Sequence, residues 1–154
     1  MSNLAKEREI FESYLRQKGL KLTKQRQEIL DTFLKTEKHL STEELYRNVN
    51  ERNPSIGLAT VFRTLKLLAQ ADIAQEIVLG KTMKFEHKYG HRHHDHLICI
   101  ECSGLIEAVN SKIEKLQNSL CRKFGFTPLK HKLQIFGICK SCQAKAKGGE
   151  IKKS

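Results

Sequence analysis

The chain is 154 residues long, 39% hydrophobic and 29% charged, with a formal net charge of +11. That length accommodates one domain or two small ones, and the apolar fraction supports a modest packed core. The longest apolar run, Leu97 to Ile100, is far too short to cross a membrane, and the opening residues MSNLAKEREI lack the apolar centre of a secretory signal, so a cytoplasmic protein with reduced thiols is expected.

In chain order, the first half is helical. Glu9 to Gln17 makes an amphipathic segment through Ile10, Phe11, Tyr14 and Leu15, with Gly19 placed to end it. Thr23 caps a second helix whose apolar face holds Ile29, Leu30, Phe33 and Leu34. Ser41-Thr-Glu-Glu44 is a capping box that opens a third through Leu45, Tyr46 and Val49, stopped by Asn53-Pro54. A fourth follows Ile56-Gly-Leu-Ala-Thr60, with Leu58, Val61, Phe62, Leu65 and Leu68 at helical spacing. Consecutive helices with such short connections have the size of a helix-turn-helix core. Ile73 to Leu79 and Thr82 to Glu86, joined at Gly80-Lys81, read as a β-hairpin, and a hairpin after a helix-turn-helix is a wing.

After a short polar break at His87-Lys-Tyr-Gly90 the pattern becomes strand, strand, helix, strand. The segments are Leu97 to Ile100, Leu105 to Val109, Ser111 to Phe124 and Lys130 to Ile138. Within the helix Cys121 falls on the apolar face with Ile113, Leu116, Leu120 and Phe124, where a buried small hydrophobe is expected. The end of the chain, AKAKGGEIKKS, has little to bury and is expected to fray.

Metal ligands dominate this second half. Cys99-x-x-Cys102 is followed at long range by Cys139-x-x-Cys142, and two such turns bring four sulfurs to one tetrahedral zinc ion. Disulfides or a redox dithiol would suit an oxidising compartment or a different local setting. The segment His91-Arg-His-His-Asp-His96 runs directly into the first cysteine pair. If it enters a strand, His93 and Asp95 face one way while His94 and His96 face the other, so one strand can serve two metal sites.

Charge alone does not identify a nucleic-acid partner. Residues 1–87 carry 15 Lys and Arg against 12 Asp and Glu, a net of +3, whereas residues 88–154 carry 13 against 5, a net of +8. DNA binding therefore rests on the helical pattern and on where Lys21, Lys24, Arg26 and Arg63 fall within it. On the fourth helix Thr60, Arg63 and Thr64 are expected to face away from the core, with Phe62 at the edge. Arg63 can donate two hydrogen bonds to guanine and Phe62 can pack on a thymine methyl, which suits an A·T-rich inverted repeat. Lys21 is placed to reach a flanking minor groove.

The stretches GLKLTKQR (19–26), HLSTEELY (39–46), IGLATVFRTL (56–65), Phe85-Glu86, HHDHLICIEC (93–102), Glu107 and the C-terminal C-x-x-C together resemble the ferric uptake regulator family of metal-dependent repressors. They run from about Gly19 to Cys142 in the family's order. The resemblance implies an α+β protein: a winged helix-turn-helix DNA-binding domain over 1–87, a hinge over 88–92, a small α/β dimerisation domain over 93–143 and a flexible basic tail over 144–154. It assigns structural zinc to Cys99, Cys102, Cys139 and Cys142. A regulatory site takes His39, Glu86, His94, His96 and Glu107, and a second site His93, Asp95, Glu114 and His131. Lys21, Arg26, Thr60, Phe62 and Arg63 are the expected DNA contacts.

Two departures from the family pattern stand out. One extra residue lies between Glu86 and the His-His-Asp-His run, so His87 competes with Glu86 as the ligand, although Phe85-Glu86 keeps the local pattern. Phe62 stands where many members have tyrosine. The implied function is Fe(II)-dependent repression of iron uptake genes by a homodimer, with tetramers open, and with Mn(II), Co(II) or Zn(II) as substitutes. A peroxide- or zinc-sensing regulator of the same family is the alternative, and glutamates at 86 and 107 favour iron uptake control. A metal-dependent hydrolase would use the same ligand types with an open position and a general base, but these ligands are spread over two predicted domains. A metal buffer would leave the helix-turn-helix and wing without a role.

Overall fold

The computed structural model describes residues 3–36, 39–88 and 94–149. The chain divides into an N-terminal unit, residues 1–91, and a C-terminal unit, residues 92–154.

The N-terminal unit opens with α1, Asn3–Gln17, which buries Phe11 and Leu15. Gly19, at φ +68°, ends it: the Leu20 amide donates to the Leu15 carbonyl at 2.8 Å and the Gly19 amide to the Arg16 carbonyl at 3.0 Å. This paired closure needs the left-handed conformation that glycine adopts at no cost. In α2, Lys24–Leu34, the Arg26 amide donates to Thr23 Oγ1 at 3.3 Å, and Ile29, Leu30, Phe33 and Leu34 are buried as the spacing predicts. In α3, Thr42–Asn50, the capping box is complete: the Glu44 amide donates to Ser41 Oγ at 3.1 Å and the Ser41 amide to Glu44 Oε2 at 2.7 Å. The fourth helix, α4, spans Leu58–Gln70.

A short strand not expected from the sequence, β1 at Leu40–Ser41, precedes α3. It pairs antiparallel with β3, Thr82–His87, which pairs in turn with β2, Ala74–Leu79, so the sheet order is β1-β3-β2. Phe11, Phe33, Leu45, Ile56, Leu65, Leu68, Ile73 and Phe85 form the fully buried centre of this unit. Helices and hairpin thus close one core, the arrangement of a winged helix.

The C-terminal unit has strands β4, Asp95–Cys99, β5, Leu105–Ala108, and β6, Gln134–Gly137, in the order β5-β4-β6. β5 runs antiparallel to β4 and β6 parallel to it. The expectation for α5, Ser111–Lys123, was a buried apolar face, and here the structure differs. None of its residues is buried: Leu116 is 70% exposed, Leu120 60%, and Cys121 only half-buried. That face stays exposed within the unit, whose sheet also leaves Leu97, Ile106 and Ile135 exposed.

A final helix, α6, spans Lys140–Gly149, whereas the sequence suggested fraying from Ala144. Lys, Ala and Gln are good helix formers, and the Gln143 amide donates to the Cys139 carbonyl at 3.0 Å, so the second C-x-x-C turn nucleates the helix.

Candidate metal centres and nucleic-acid face

The four cysteines come from two places in the C-terminal unit. Cys99 ends β4 and Cys102 lies in the following turn, while Cys139 and Cys142 lie where β6 gives way to α6. Their sulfurs all lie within 4.8 Å of one another, and all are unoxidised thiols. Cys102 Sγ is 3.8 Å from Cys139 Sγ. Two thiolates at about 2.3 Å from one tetrahedral ion stand about 3.8 Å apart, the separation of this pair. The turn is tight: Ser103 has φ +56°, and a Cβ on Gly104 would meet Cys102 Sγ at 3.1 Å.

Hydrogen bonding splits the thiols. Ser141 and the Cys142 amide hold Cys139 down to about 6, whereas Cys142 is pushed up to about 12 chiefly by its bond to Cys139. Cys99 is lowered mainly by the Cys139 amide, which donates to its sulfur at 3.3 Å. One thiolate forms readily, and its charge keeps the neighbouring proton in place until a cation replaces it.

The five candidates for the regulatory site fall in two groups, each inside one unit. In the N-terminal unit β1 and β3 pair Leu40 with Phe85, which sets His39 beside Glu86, with Nε2 2.7 Å from Oε2. Glu86 is buried and His39 partly so. In the C-terminal unit His96 on β4 pairs with Glu107 on β5, and His94 Nε2 lies 3.9 Å from Glu107 Oε1. The His94 and His96 rings meet edge-on at 4.9 Å, and His96 is 1% exposed. His94, His96 and Glu107 each offer a donor atom within 4.8 Å of the others.

His87 sits one residue along β3 and so on the other face. Its Nε2 is hydrogen-bonded to Glu7 Oε1 of α1, and its ring meets Phe33 edge-on at 6.3 Å. Strand parity therefore places Glu86, and not His87, with His39. Of the second set, His93 lies outside the described residues. Asp95 is buried on β4, Glu114 stands in the first turn of α5, and His131 precedes β6.

On α4, Arg63 is exposed, Phe62 is 43% exposed, and Thr60 is half-buried. Arg63 Nε donates to the Ala59 carbonyl at 3.1 Å, which lays the guanidinium along its own helix. Two expectations are corrected. Thr64 is buried, donating from Oγ1 to the Thr60 carbonyl at 2.8 Å, and Leu58 is 43% exposed because it stands in the first turn, before the helix meets the core. Lys21 is exposed before α2, and its carbonyl accepts a 2.6 Å hydrogen bond from Arg26 Nη1. That bond orients Arg26 toward the chain's own backbone.

A model of the Ferric uptake regulator family matches residues 17–136. The chain belongs to that family. It is similar to the ferric uptake regulation protein of Campylobacter jejuni, with 39% identity over 136 residues that cover 87% of each chain. Among solved structures it resembles the Helicobacter pylori ferric uptake regulator, described with three functional metal-binding sites, with a TM-score of 0.74 at 28% identity over 91% of this chain and 93% of that one. It also resembles the Francisella tularensis regulator solved with iron, with a TM-score of 0.66 at 35% identity over 81% of this chain and 96% of that one. As a ferric uptake regulator family member it is a metal-dependent DNA-binding regulator with a winged-helix unit. No helix among the described residues is long and apolar enough to cross a membrane.

Two features of this protein are not visible in its sequence. The pairing of β1 with β3 was hidden because Leu40–Ser41 is too short for any periodicity. The Glu7 contact was hidden because 80 residues separate it from His87.

Proposed function

We propose that the protein is an Fe(II)-dependent repressor of iron uptake genes, in which one ion shared by His39, Glu86, His94, His96 and Glu107 sets the angle between the two units. The observation that carries this reading is that the ligands are divided: His39 and Glu86 are paired in the DNA-binding unit, while His94, His96 and Glu107 are gathered in the other. Neither group alone saturates a divalent ion, and imidazole with carboxylate suits Fe(II) and its neighbours in the first row. Bound metal would then fix the separation of two α4 helices in a symmetric dimer and match it to an inverted A·T-rich repeat. Zinc at the four cysteines closes the turn between β4 and β5 onto α6, and His93, Asp95, Glu114 and His131 supply a further site.

The dimer is supported by an apolar row across the second sheet. Ile106, Leu97 and Ile135 are cross-strand partners and are 59%, 37% and 48% exposed. Leu116 and Leu120 of α5, and Phe124 just after it, are further exposed apolar side chains of this unit, and a second copy would cover such a surface.

The reading is tested by anaerobic titration of a labelled A·T-rich inverted repeat with and without Fe(II). Binding should require the metal, and DNA should in turn tighten metal binding by the same factor. Equal DNA affinity with and without Fe(II), or an unchanged response in His96→Ala, would overturn it.

A further inference from the structure

Glu7 is a carboxylate with no exposure, buried in the N-terminal unit against His87. Burying such a group is costly even when it is hydrogen-bonded, and among the described residues only one of its oxygens has a hydrogen-bond partner. An apolar pair of the same volume would serve stability as well or better. The pair's position explains its presence. His87 is the last residue of β3, next to Glu86, and at this end the strand is supported on one side only: Ala74 pairs with His87, while the β1 ladder stops at Leu40 and Phe85. Alternation turns Glu86 toward His39 and His87 toward α1. Helix α1 is itself braced, by Arg8 to Asp31 at 2.6 Å and by Tyr14 Oη to Gln70 Oε1 at 2.8 Å, so it is a firm anchor.

We propose that Glu7 and His87 are positioning residues for the regulatory metal: their buried hydrogen bond pins the end of β3 from behind and aims the Glu86 carboxylate at the ion. The pair holds no metal itself. It acts as groups behind metal ligands act elsewhere, by restricting a ligand to its productive orientation. The inference rests on Glu86 being a ligand.

The test is Co(II) titration of the full-length, zinc-loaded protein, followed by visible absorption, in Glu7→Ala, Glu7→Gln, Glu86→Ala and the double variant Glu7→Met with His87→Leu. The double variant fills the same space with apolar side chains and keeps the protein folded if Glu7→Ala does not. Glu7→Ala and the double variant should bind Co(II) about tenfold or more weakly and with altered visible bands, while keeping their cysteine-bound zinc. Glu7→Gln, whose carbonyl still accepts from His87, should recover most of the affinity. Unchanged Co(II) affinity and spectrum in the double variant, with Glu86→Ala impaired, would overturn the positioning role alone. An unimpaired Glu86→Ala would overturn the ligand assignment and this inference with it.

Discussion

Cys102 Sγ and Cys139 Sγ lie 3.8 Å apart across 37 residues of chain. That contact joins the turn after β4 to the start of α6 in a unit whose buried apolar side chains, among the described residues, are few, Ile98 and Cys99. Metal held at this site would supply folding energy that the unit's small core does not. Cys102→Ser should lose the zinc equivalent, lower the melting temperature and weaken the dimer. A variant with one bound zinc and an unchanged melt would show that the four thiols are not the structural site.

The two faces of β4 should separate by function. His96→Ala removes a donor beside Glu107 and His94 and should abolish metal-activated DNA binding, whereas Asp95→Ala, on the opposite face, should weaken it less. Metal stoichiometry and DNA affinity measured on both variants check this. Identical losses would mean one merged site.

Placing a charge in the exposed apolar row should disrupt association. Ile106→Glu puts a carboxylate beside Leu97 in the row formed with Ile135. Sedimentation should show monomers at concentrations where the parent is dimeric, with the helical signal of the winged-helix unit retained. A dimer of parental affinity would place the interface elsewhere.

The capping box of α3 should make stability acid-sensitive. The Ser41 amide is the main cause that holds the Glu44 carboxyl below its usual 4.5, with Lys84 at 3.3 Å helping. A lowered folded value stabilises the protein above the unfolded value, and that contribution disappears as pH falls through the folded one. Glu44→Gln should therefore lower the melting temperature at neutral pH, and the gap from the parent should close as pH falls below about 4.5. A gap that stays constant with pH would remove the carboxylate from the account.

Arg63→Ala should cost about 1 to 3 kcal/mol on an A·T-rich inverted repeat and much less on random DNA, since Arg63 is the exposed bidentate donor of α4. Lys21→Ala should weaken binding to both and flatten its salt dependence. Unchanged selectivity in a metal-loaded Arg63→Ala dimer would take base reading away from this helix.

Much of this protein is legible in its sequence because the determinants are local. Thr23 and Ser41 announce their helices through hydrogen bonds three residues long, and Gly80 announces its turn through a left-handed backbone. Two residues between cysteines already fix that both sulfurs can reach one ion, and strand alternation already separates His96 from Asp95. Only tertiary structure decided the rest. The pairing of Leu40 with Phe85 brings His39 to Glu86, and Glu7 meets His87 from the far end of the unit, because contacts between distant segments depend on how the elements dock and leave no periodic trace. The apolar face of α5 reads in sequence as core, and only the fold shows that it stays exposed within its own unit, because helical spacing marks an apolar face without saying what packs on it.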